Sequence, residues 1–161
     1  MQRVSKLVRL SYAHKMGLYG QGIVVAVVDS GIAKHADIAD RLIASADMVN
    51  HRKDFYDDNG HGTHVAGIIG ANGSTLKGMA PKCEFVSVKV LDGRGGGKIE
   101  NVLAGLRWLY DNADRYKVRI ILQIQHIGII IHGRTEQPKH IFYRFLWYAM
   151  YYFSHSISAF S

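Results

Sequence analysis

The run Gly22-Ile23-Val24-Val25-Ala26-Val27-Val28-Asp29-Ser30-Gly31 decides the fold class. Its apolar residues are continuous rather than alternating, are mostly β-branched, and stop at Asp-Ser-Gly. That pattern predicts a strand buried on both faces, as in a parallel sheet. Two further segments repeat the signal, Phe85-Val86-Ser87-Val88-Lys89-Val90-Leu91 and the stretch from Val118 to Leu122. Between them, Ile99, Val102, Leu103, Leu106, Leu109 and Tyr110 recur at helical spacing and predict a core-facing helix over 98–113. Strand, helix and strand in this order predict an α/β protein with a mainly parallel sheet. Asp29 falls where the first strand ends, and ligands and catalytic groups gather at the carboxyl ends of such strands. A plain turn aspartate before Ser-Gly would have the same sequence.

Residues 33–56 are mixed and polar and read as loop with short elements. Beyond them comes Asp57-Asp58-Asn59-Gly60-His61-Gly62-Thr63-His64-Val65-Ala66-Gly67-Ile68-Ile69-Gly70-Ala71-Asn72-Gly73. This reads as a loop entering a helix at about His61 and leaving it at Gly73-Ser74. Asp57 and Asp58 suit the positive end of that helix. Glycine costs about 1 kcal/mol relative to alanine inside a helix, so its repetition predicts close packing against a neighbour. A histidine at the rim of such a helix is a candidate proton carrier.

The glycine-rich loop Asp92-Gly93-Arg94-Gly95-Gly96-Gly97 lacks the Gly-Lys-Ser/Thr ending of a phosphate-binding loop. An extended backbone edge that pairs with a peptide suits it better.

The 161 residues suffice for one domain with its own core, and 48% apolar content excludes a disordered chain. The formal charge of +7 comes from scattered residues with no run of five Lys/Arg, so neither a nucleic acid nor a membrane is an expected partner. No stretch reaches the ~18 apolar residues that span a bilayer. Cys83 is the single cysteine, which leaves no internal disulfide, and Met1 to Ser11 lack the apolar core of a signal peptide. These features lead to a cytoplasmic expectation.

Three segments together resemble the subtilases, the subtilisin-like serine endopeptidases. They are Ile23 to Ile32 with its Asp29-Ser30-Gly31 ending, His61-Gly62-Thr63-His64-Val65-Ala66-Gly67, and Gly78-Met79-Ala80-Pro81 followed by Val88-Lys89-Val90-Leu91. The resemblance covers roughly residues 13–122. It implies a truncated, three-layer subtilisin-like domain over 13–131, after a lead-in over 1–12. Carried over by position, Asp29 matches the triad aspartate and His61 the triad histidine. His64 matches a structural position, and Gly95, Gly96 and Gly97 match the edge that pairs with bound peptide. In the mechanism this implies, the aspartate fixes the imidazole tautomer and the imidazole deprotonates a serine that attacks the scissile carbonyl. Backbone and asparagine donors then stabilise the oxyanion. No cofactor is implied. Calcium is the one ion the family sometimes binds, with Asp37 close to a ligand position and the loop from Gly67 to Gly78 short for the main site.

The sequence departs from the family after Leu122. No Gly-Thr-Ser-Met-Ala segment supplies the nucleophile, and no strand ending in Ala-Gly-Asn supplies the oxyanion asparagine. His126-Ile127-Gly128 stands where a Ser-x-Gly pocket wall would fall. Residues 132–161 form a divergent tail, crowded with aromatics from Ile141 to Phe153, that reads as out of frame. In subtilisin, the reference case for this triad, loss of the serine alone costs about 2 × 10⁶ in kcat. The expectation is a family serine endopeptidase whose 161-residue chain is inactive alone. A polypeptide would be its substrate only if the missing half were supplied.

Two other classes fit parts of the chain. A metal site could use Asp29, His61 and His64, the histidines sharing a helix face, but it lacks the Glu of His-Glu-x-x-His. A non-catalytic interaction module could use unpaired sheet edges, which also predict self-association or aggregation.

Overall fold

The computed structural model describes residues 7–123. A short helix α1 (Leu10–Lys15) precedes strand β1 (Val24–Asp29). A 3-10 turn (Ala39–Arg41) then leads into β2 (Leu42–Asp47). Helix α2 (His61–Gly70), β3 (Glu84–Lys89), helix α3 (Ile99–Asn112) and β4 (Val118–Gln123) complete the order. The described strands form one sheet in the order β2-β3-β1-β4, and each pairing is parallel.

Strand β1 has neighbours on both sides and every residue from Val24 to Asp29 is buried. Alternation along the strand sorts its side chains between two helices. Val25 and Val27 pack with Ile32, Ile38, Phe85 and Cys83 against Val65 and Ala66 of α2. Val24, Ala26 and Val28 pack with Val86, Val88 and Val90 against Val102, Leu106 and Leu109 of α3. Helix, sheet and helix thus make the three layers the sequence predicts. Each fully buried Val or Leu contributes about 1.5–3 kcal/mol of transfer free energy, which explains why a sheet this small is covered on both faces.

Two expectations need correction, and one short element gains a definite place. In the segment read as loop with short elements over 33–56, one of those elements is β2, which pairs with β3 from Leu42↔Phe85 to Asp47↔Lys89. Its Leu-Ile-Ala-Ser-Ala-Asp has little β-propensity, and the sheet edge it joins at β3 supplies the hydrogen bonds instead. Helix α2 ends at Gly70 rather than Gly73, because Ala71 turns extended and Asn72 bridges to Lys77. The stripe on α3 is rotated: Val102, Gly105, Leu106 and Leu109 are buried, whereas Ile99 and Leu103 are exposed. Gly105 is the inward residue that an apolar count overlooks, since a Cβ there would stand 2.8 Å from Val90 Cγ1 and 2.9 Å from Val88 Cγ1. The aromatic tail and the His126-Ile127-Gly128 segment lie outside the described residues.

Candidate active site

The site forms where β1 ends. Asp29 is fully buried, and both carboxylate oxygens lie within hydrogen-bond distance of His61 Nδ1, at 2.9 Å and 3.0 Å. Asp29 Oδ1 also accepts the Ser30 N–H at 2.7 Å. The Asp29 carbonyl accepts the N–H groups of Val90 and Leu91, which ties its backbone to the end of β3. To donate to a carboxylate, His61 must carry its proton on Nδ1, leaving Nε2 unprotonated when the ring is neutral. The His61 side chain is 45% exposed, and among the described residues Nε2 has no hydrogen-bond partner. A basic nitrogen with a fixed tautomer and open access is the chemical content of this pair.

The pair is brought together by a close approach of α2 to β1. A Cβ on Gly62 would stand 2.1 Å from the Gly31 carbonyl oxygen and 3.2 Å from Asp29 Cβ. Only glycine permits that contact. Gly31 itself has φ +112, and a Cβ there would meet the Tyr56 oxygen at 2.2 Å. The packing role that the sequence assigns to glycine is therefore carried by Gly62 and by Gly70, which abuts Phe85 and Cys83. Nothing lies within 4 Å of where a Gly67 Cβ would be.

Side chains satisfy the first donors of α2. Asp57 accepts the N–H of Gly60 at 2.8 Å, the N–H of Thr63 at 2.9 Å and the Thr63 hydroxyl at 2.6 Å. The Ser30 hydroxyl donates to Asp57 Oδ1 at 2.9 Å and accepts the Gly62 N–H at 3.0 Å. Asn59 Oδ1 accepts the His61 N–H. Burial works against ionisation of Asp57, yet the Thr63 hydroxyl, the Gly60 and Thr63 N–H groups and the Ser30 hydroxyl hold its carboxyl below the usual range. The residue after the site aspartate is thereby linked through Asp57 to the helix that carries His61.

Lys89 is 2% exposed and sits at the end of β3, in register with Asp29. Its ammonium donates to the Ser30 carbonyl at 2.7 Å, the Leu91 carbonyl at 2.8 Å and Asp58 Oδ1 at 2.5 Å. Ser30, Thr63 and Lys89 were not singled out from sequence. Lys89 alone had a usable signal, a charge inside an otherwise apolar run.

The glycine-rich loop that carries Gly95, Gly96 and Gly97 turns before it reaches α3. It closes on itself: the Asp92 N–H donates to the Gly96 carbonyl and the Gly95 N–H to the Asp92 carbonyl. Asp92 Oδ1 accepts the N–H groups of Arg94 and Gly96, and those bonds hold its carboxyl low. With Gly95 at φ +80 the chain turns instead of extending. Asn59 Nδ2 reaches the Gly93 carbonyl at 3.2 Å, so the loop stands beside the His61 segment.

His64 is exposed and apart from the Asp29–His61 bond. Among the described residues no group of three or more His, Cys, Asp or Glu side chains is gathered to hold a metal ion. Asp37 faces Gly73, and its carboxylate lies 3.9 Å from His35 Nδ1. One carboxylate is a thin donor set for calcium, which takes about six to eight oxygens. Among the described residues no helix is long and apolar enough to cross a membrane.

A family model described as the subtilase family matches residues 20–122. The chain is 44% identical over 95 residues to serine protease AprX of Bacillus subtilis (strain 168), covering 56% of this chain and 22% of that protein. It is 42% identical over 107 residues to the minor extracellular protease Epr of the same organism, covering 65% and 16%. A thermostable alkaline protease of Halalkalibacterium halodurans is 42% identical over 102 residues, covering 62% and 28%. The chain thus spans between 16% and 28% of the length of these relatives.

Proposed function

The chain belongs to the subtilase family, and from that premise we propose that Asp29 and His61 are two members of a serine-endopeptidase triad in a chain that does not cleave peptides by itself. One observation carries this reading: buried Asp29 holds Nδ1 of a half-exposed His61 while Nε2 stays open. In acyl transfer to a serine, Nε2 takes the hydroxyl proton and returns it to the leaving amine. Asp29 keeps the ring in the tautomer that leaves Nε2 basic and stabilises the imidazolium that forms. The proposed substrate is a polypeptide, as the names of the protease relatives suggest.

The inactive part of the reading rests on the sequence, which contains no Gly-Thr-Ser-Met-Ala nucleophile segment and no Ala-Gly-Asn strand ending. The purified 161-residue chain, incubated with a fluorogenic casein, is expected to show no hydrolysis above buffer. Hydrolysis that disappears in Asp29→Ala would overturn the inactivity. The triad assignment is tested by joining residues 7–122 to the serine-bearing remainder of AprX. That chimera should hydrolyse casein, and His61→Ala should abolish the activity. A chimera equally active with His61→Ala would sink the assignment.

A further inference from the structure

We propose that Lys89 is a positioning residue that holds Asp29 and His61 in bonding register from beneath the site. The proposal deepens the triad reading and rests on it. A lysine almost fully withdrawn from water is costly unless its charge is paired and all three N–H groups find acceptors. Lys89 meets that condition, and its acceptors are placed where they matter. Ser30 is the residue after Asp29, Asp58 lies three before His61, and Leu91 donates its own N–H to the Asp29 carbonyl. One buried ammonium therefore ties together the end of β1, the end of β3 and the loop that enters α2.

The position argues against mere filling. Lys89 shares the face of β3 that carries Phe85, the face turned toward α2. Of the β3 residues on that face, Phe85 is fully buried and apolar and Ser87 is 1% exposed. An aliphatic side chain could cover the same surface, but it would leave the Ser30 and Leu91 carbonyls without this donor and Asp58 without its cation. The centroid of the Tyr56 ring lies 5.2 Å from the ammonium.

The test reads the hydrogen bond itself, so it does not depend on proteolysis. In the full chain labelled with 15N histidine, the His61 Nδ1 proton should give a ring resonance protected from solvent exchange and lost in Asp29→Asn. In Lys89→Met, with far-UV circular dichroism unchanged, that proton should exchange at least about tenfold faster, because the pair opens more often. Asp58→Asn removes only the ion pair and should accelerate exchange less, about threefold on the same basis. If Lys89→Met does not fold, Asp58→Asn decides. A protected proton whose exchange is unchanged in the folded variants overturns the positioning role and leaves the pair standing. A wild-type chain without a protected Nδ1 proton removes the pair and the proposal together.

Discussion

Helix α2 meets the sheet through Gly62, Val65, Ala66 and Gly70, whereas α3 meets it through Val102, Gly105, Leu106 and Leu109. The two also begin differently. The first N–H groups of α2 are taken up by Asp57, Ser30 and Asn59, while α3 starts at Lys98 with no side-chain cap. Helix α3 is held by apolar burial from Val102 to Leu109, about two turns. Helix α2 is short, poor in helix formers, and held at its entry by a polar network plus one glycine contact. The proposed chemistry is placed on α2, whose kind of attachment fixes the entry residue, His61, within a hydrogen bond of Asp29. Apolar burial fixes a helix face, but it leaves the exact height of any one residue less constrained.

The largest predicted effect breaks the glycine contact. In Gly62→Val the new Cβ would overlap the Gly31 oxygen, a backbone atom that cannot swing aside. Destabilisation of about 4 kcal/mol is expected, in the range reserved for severe steric insertion. Urea titration followed by circular dichroism measures it. A loss below about 1 kcal/mol would show that α2 can ride up from β1, and the contrast with α3 would fail.

Leu106→Ala strikes the other helix. Leu106 is 2% exposed in the cluster that α3 forms with the sheet, and its truncation should cost about 3 kcal/mol by lost transfer energy and cavity formation. The same titration checks this, repeated at acid pH. Because the cluster around Leu106 holds no carboxylate or histidine, the loss should be the same at both pH values.

Asp57→Ala should cost about 2 kcal/mol near neutrality, from donors left without their acceptor at the start of α2. Here pH enters with a definite sign. The folded carboxyl is lowered from 3.8, so the stability it contributes is complete above that value. It is lost as pH falls through the lower folded value. Wild type and Asp57→Ala should therefore differ most at pH 6–7 and converge in acid, which stopped-flow or equilibrium unfolding across pH would show. A gap independent of pH would mean that Asp57 serves α2 by shape alone.

How far the sequence foretold this division depended on the physics involved. Strand β1 was legible because burial on both faces demands an unbroken apolar run, and Val24 to Val28 provide one. Asp29 and His61 were legible because the segments around them have the order and spacing of a known family. Strand β2 was not, since Ala44, Ser45 and Ala46 gain their strand geometry from pairing with β3. Lys89 and Ser30 were not, since their partners lie 31 and 27 positions away and exist only after the sheet forms. The turn at 92–96 was not foreseen, because it depends on Asp92 accepting from the Arg94 and Gly96 N–H groups.

The smallest predicted effect tests the outer face of α3. Leu103 belongs to the helical apolar pattern but is 45% exposed, one position off the buried line through Val102 and Leu106. If the described packing is what holds α3, Leu103→Gln removes little buried surface and should stay within about 0.5 kcal/mol of wild type. Urea titration of the two chains at equal concentration measures the difference. A loss above about 1.5 kcal/mol would mean that this face is covered in solution. Helix α3 would then be buried on two sides, and the contrast between a polar-anchored α2 and an α3 held on a single apolar face would have to be redrawn.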